Sequence, residues 1–178
     1  MFKNLPPLAS VSIRNGAIAG LLGFFILLAL YIMGKHPFLF MIFFDFRIVM
    51  FGIFMSLTLK EIRDSYQDGI IFFWQGMIAN LIFTFLFVLI TFFSIWILCE
   101  IYPAFLVNYI TTAIEQMMSI SKEVIAQMGK DIFESNLKAL SATNGYALAK
   151  HYSGQSFIIS FFISIIISVI LRRQPKIE

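Results

Sequence analysis

The sequence predicts an all-α integral membrane protein: a four-helix bundle with an amphipathic extracytoplasmic helical segment between spans 3 and 4. Three observations lead there. Of 178 residues, 60% are hydrophobic and only 13% charged, outside the usual composition of a soluble domain. The apolar residues gather into four runs, near 16–33, 38–59, 70–98 and 156–171, and helices are the economical way to satisfy a backbone in hydrocarbon. Between the last two runs, apolar side chains recur at steps of three or four, the period of a helix face.

Each element has its own justification. The first run, Gly16 to Met33, is longer than a secretory h-region, and Lys35, His36 and Pro37 follow it instead of a small-residue cleavage site, so it is expected to be a retained span. The second, Phe38 to Leu59, carries Asp45 and Arg47 near its first third. The third, Ile70 to Leu98, holds Trp74 and Trp96 about 33 Å apart along a helix, the separation of two aromatic belts. The fourth, Ser156 to Leu171, is short, but Tyr152 and Arg172 flank it about 30 Å apart and supply an aromatic and a cation at opposite interfaces. No Gly, Ser or Pro linker divides the chain, so residues 1–178 are expected to form one membrane domain.

The turn Lys60 to Gly69 carries both signs of charge and suits a short connection, with its cations anchoring the interface. The outer helical segment, about 104–150, shows a stripe of Phe105, Tyr109, Ala113, Met117, Ile120, Val124 and Met128. Ile132, Phe133, Leu137 and Leu140 continue it after Gly129. Two helices or one kinked helix are expected, with Pro103 breaking direction after the third span and Asn144-Gly145 turning before the fourth. Lys3, Arg14, Lys60, Arg63, Arg172, Arg173 and Lys176 then fall on the N-terminal side of the membrane, against Lys35 in the short outer loop, which predicts both termini cytoplasmic.

Charges inside a span are costly and mark a site by default, so Asp45 and Arg47 head the candidates. Counting from Lys60 puts them about 8 to 11 Å below the outer surface. Residues two apart do not face each other on a helix, so Arg47 is expected to reach Glu100, leaving Asp45 to another neighbour such as Tyr31 or Lys35. Asn80 and Thr84 share a face of the third span and could form a polar seam with the fourth. Helix packing is expected through Gly16, Gly20 and Gly23 on the first span, and through Ser156, Ser160, Ser164 and Ser168 at strict four-residue spacing on the last.

The chemistry is sparse. Cys99 is the only cysteine, so no internal disulfide forms. His36, Asp45, Glu100 and His151 have no metal-ligand spacing, and no nucleophile stands with a base. The expectation is no catalytic residue, no metal and no cofactor. Nucleic acid is not an expected partner, because the cations flank apolar runs rather than cluster.

The run Glu61 to Gln75, then Ile101-Tyr102-Pro103-Ala104-Phe105 and the stretch Glu115-Gln116-Met117-Met118, resembles a bacterial family catalogued as a domain of unknown function, DUF4199-like. The resemblance implies a small four-span protein of the bacterial cytoplasmic (inner) membrane with an extended segment between spans three and four. It implies no activity. The expected function is a non-enzymatic accessory, assembly or interaction protein of the envelope, in contact with membrane lipids and with a second copy or a protein partner. The alternative is a small transporter or lipid-handling protein using the seam between spans 3 and 4.

Overall fold

The structure is a computed structural model that describes residues 5–34, 36–39 and 45–173. Lys3, Lys35 and Lys176, three of the cations used to orient the chain, lie outside the described residues, as do residues 40–44 of the expected second span. Seven α-helices are described: α1 Pro7–Ile32, α2 Phe46–Tyr66, α3 Phe73–Ile101, α4 Pro103–Met118, α5 Lys122–Met128, α6 Lys130–Ser141 and α7 Gly145–Leu171. A single 3₁₀ turn, Pro37–Leu39, stands between α1 and α2, and no strand occurs among the described residues.

The boundaries have local causes. Pro7 opens α1, where its missing N–H costs nothing. Asp45 caps α2 from an extended backbone, its carboxylate accepting from the Arg47 amide at 3.0 Å. Between α2 and α3, Asp68 and Gly69 both take positive φ and the Gly69 N–H returns to the Arg63 carbonyl at 2.9 Å. Tyr102 precedes a proline and leaves the helical region, so α3 stops and α4 starts on Pro103. Gly129, at φ +94, separates α5 from α6, the break expected there. Asn144 is a helix cap rather than a free turn: its side chain accepts from the Ala147 amide at 2.8 Å. The last helix therefore begins eleven residues before Ser156, and the outer segment ends at Ser141 instead of about 150.

α1, α3 and α7 are long and apolar enough to cross a membrane, by length and composition. Their outward faces carry Phe25, Phe85, Phe162 and Ile170, each more than 60% exposed, as lipid-facing helices do. The chain is a multi-pass membrane protein. The second expected span differs from its prediction. Its helix begins at Phe46, not Phe38, and only Ile48 to Leu59 lies free of charge, about 18 Å of helix against roughly 30 Å of hydrocarbon.

The four long helices pack as a ring, α1 on α3, α3 on α7, α7 on α2 and α2 on α1, with α2 and α3 also meeting across the middle and the other diagonal pair, α1 and α7, touching least. Gly16 lies on Phe83 and Gly20 on Phe87, so α1 and α3 run parallel. Ser168 lies on Gly76 while Cys99 lies on Gly145, so α7 runs antiparallel to α3. Close approach is what the glycines provide: a Cβ on Gly16 would stand 2.6 Å from the Phe83 carbonyl oxygen. Phe51, Phe83 and Phe87 fill the middle of the ring at 0% exposure, and Phe51 meets Phe87 edge-on at 4.7 Å. At the end shared by the α2–α3 turn and the exit of α7, Ile71 and Arg173 exchange two backbone hydrogen bonds at 3.1 and 2.9 Å.

Candidate functional site: a buried arginine clasp

Arg47 sits in the first turn of α2, facing α7, with its side chain 6% exposed; that of Asp45 is 12% exposed. Because Asp45 is the cap and not a residue of the helix, its carboxylate folds over the first turn and meets the guanidinium directly. Arg47 Nε donates to both Asp45 oxygens at 2.8 Å, and Nη2 donates to Oδ2 as well. The expectation that the two do not pair is thereby corrected, since the spacing rule behind it holds only where both residues are helical.

The other donors go to α7. Nη1 donates to the Ser156 hydroxyl at 2.7 Å and to the Tyr152 carbonyl at 3.1 Å, and Nη2 donates to Gln155 Oε1 at 3.3 Å. The guanidinium carbon lies 4.3 Å from the centroid of the Tyr152 ring, a cation–π contact in a dry site. Ser156 in turn donates to the Tyr152 carbonyl at 2.8 Å. Every nitrogen of the guanidinium has a partner, so the fork holds no free donor face for a ligand. The arrangement ties the start of α2 to α7 as a charged clasp.

Glu100 is not part of it. This residue is exposed at the C-terminal end of α3, and Arg47 is already saturated by Asp45 and α7. Tyr152, expected at the interface, is 3% exposed beneath the guanidinium. Gln155 is the clasp neighbour that the sequence did not single out, and Tyr152 was expected only as an interface aromatic; their signal as partners of Arg47 was their place one and four residues before Ser156. From Gln155 the polar chain continues to the exposed His151, Nε2 to Nε2 at 2.9 Å.

The seam between α3 and α7 is present in two bonds: Asn80 Nδ2 donates to the Ser168 hydroxyl at 3.3 Å and the Ser164 hydroxyl reaches Met77 Sδ at 3.7 Å, while Asn80 Oδ1 is buried with no partner among the described residues. Thr84 is buried on the same face. All four ladder serines are buried, and Ser160 and Ser164 donate to the carbonyls of Phe157 and Phe161 three residues back in their own helix. Gly16, Gly20 and Gly23 are buried on α1.

A second cluster joins α4 to the ring. His36 Nε2 stands 3.2 Å from the Phe105 carbonyl, and because a carbonyl only accepts, Nε2 carries the proton. Its Nδ1 is buried without a partner among the described residues, and the rings of Tyr31, Phe38, Phe105 and Tyr109 surround the imidazole at 4.8 to 5.7 Å. Burial lowers the imidazole below its ordinary value, and the Phe105 carbonyl opposes this in part. No three His, Cys, Asp or Glu side chains converge among the described residues.

A family model described as a protein of unknown function, DUF4199, matches residues 14–173. The chain belongs to the DUF4199 family. The matched region takes in the clasp, the seam and the ring of long helices except the first two turns of α1. Neither a search of curated proteins nor one of solved structures finds a match.

Proposed function

We propose that the protein is a non-enzymatic accessory or assembly subunit of the bacterial cytoplasmic membrane: a four-helix bundle with both termini inside, whose outer helices α4–α6 form an amphipathic cap that contacts a partner. The observation that carries this reading is the distal half of the apolar stripe. Val124, Met128 and Ile132 remain 44%, 38% and 56% exposed on α5 and α6, and Val107 and Met118 are exposed on α4, while the polar groups of the bundle are largely consumed internally.

A fourth crossing by α2 and the residues before it is supported by chain direction. α1 and α3 run parallel, so two crossings in the same sense need a return between them. Exchange of bonds between Ile71 and Arg173 also places the exit of α7 beside the α2–α3 turn, in keeping with an even number of crossings.

A second reading is favoured by the orphaned carbonyl of Asn80: a small transporter or lipid-handling protein with the α3–α7 seam as its path. The back-bonded serines weigh against it, because the Ser156 and Ser160 hydroxyls donate within α7 and the Ser164 hydroxyl is taken up by the Phe161 carbonyl and Met77 Sδ. Purification in mild detergent separates the two readings. The accessory reading expects a second copy or a fixed partner at constant stoichiometry; a chain that runs alone from every detergent, with none recovered, ends it.

A further inference from the structure

At the end of the ring that carries Pro7 and the α2–α3 turn, α1 and α2 part to leave a groove of about 500 Å³. Its two ends differ in chemistry. Toward the middle of the ring the wall is Phe54 and Leu57, with Leu57 53% exposed. Toward the end of the ring it is Asn15, Lys60 and Ser65. An apolar wall that passes over about one helical turn into a polar one, on the outside of a membrane protein, has the polarity gradient of a lipid's own chain-to-headgroup junction.

The charges narrow the ligand. Glu61 and Asp64 also line the groove, but each is already held by an arginine. Arg14 Nη2 donates to both Glu61 oxygens, at 2.6 and 2.5 Å, and Arg63 donates to Asp64 at 2.7 and 3.2 Å. Arg63 holds the Asp64 carboxyl below its ordinary value. Lys60 is exposed and has no ion-pair partner within 4.0 Å among the described residues. The two acid–arginine pairs cancel, and Lys60, which with Arg173 acts on Asp64 only from a distance, is the cation of the groove wall left without an ion-pair contact among the described residues.

We propose that this groove holds a single glycerophospholipid, with its phosphodiester on Lys60 and the upper part of one acyl chain along Phe54 and Leu57. The remaining acyl length lies in the bilayer. Each carboxylate keeps lone pairs beyond those its arginine uses, so a headgroup ending in a hydrogen-bond donor, such as ethanolamine, fits better than choline, which has no N–H. This site lies along the later turns of α2, away from the clasp at that helix's start, and does not rest on the accessory reading.

Native mass spectrometry of the delipidated full chain tests it, with phosphatidylethanolamine, phosphatidylcholine and the soluble headgroup glycerophosphoethanolamine as probes. The expected result is one retained phosphatidylethanolamine, bound more tightly than phosphatidylcholine, with no comparable binding of the soluble headgroup. Lys60→Gln lowers the affinity about tenfold, the loss of one charge-assisted bond. Leu57→Trp, which fills the apolar half, lowers it independently, so either variant carries the test should the other unfold. Equal retention by wild type and both variants overturns the proposal, as does a soluble headgroup that binds as tightly as the lipid.

Discussion

At the scale of single residues, Asp45 and Arg47 carry most of the structural information and little evidence of chemistry. A buried ion pair stabilises weakly as a pair, yet removing one partner leaves a charge uncompensated, at a cost of about 3–5 kcal/mol. Asp45→Asn is therefore expected to cost on the order of 3 kcal/mol in thermal unfolding in detergent. Asp45→Asn with Arg47→Met is expected to recover a substantial part of that loss, since no buried charge is then left over. A double variant as unstable as the single one would show that the arginine's bonds to Tyr152, Gln155 and Ser156 matter more than the pairing. The pair itself was visible in the sequence as two charges in an apolar run. Its geometry was not, because a spacing argument presumes that both residues are helical, and Asp45 lies just outside the helix it caps.

Among the elements, α1, α3 and α7 were legible because membrane helices announce themselves by length and apolar content, and the breaks at Pro103 and Gly129 because proline and a positive φ leave few alternatives. The start of α7 was hidden. Its first three turns contain Lys150, His151 and Gln155, so hydropathy ends at Ser156 although the helix, capped by Asn144, does not. Docking of α4 onto the ring depends on an element too short to predict, the 3₁₀ turn beside His36. The His36 imidazole is held below its ordinary value in the folded chain, so between that lowered value and about 6.5 the unfolded chain binds a proton that the folded one does not. Stability in that window falls as pH falls. The facing Tyr31 and Tyr109 hydroxyls stay protonated throughout. Hydrogen-exchange protection at 104–109, taken relative to the intrinsic rate at each pH, is expected to fall between pH 7 and pH 5 in the wild type and to change less in His36→Phe; identical profiles would remove the histidine from the docking of α4.

For the whole molecule, composition announced the membrane and periodicity announced helices between the third and last long ones, but the ring order had no sequence signal, because small residues at four-residue spacing say that a helix packs closely without naming its neighbour. The structure supplies the neighbours, α3 for the glycines of α1 and again α3 for the lower serines of α7. What the ring leaves uncovered is the apolar side of α5 and α6, and the proposed function rests there. The most direct measurement places a photoreactive residue at Val124, at Ile132 and, as a lipid-facing reference, at Phe85 of the full chain in native membranes. The account predicts a discrete protein adduct from Val124 and Ile132 and only lipid adducts from Phe85. Lipid adducts alone from all three positions would contradict it, and would make the cap a surface-lying helix with no partner.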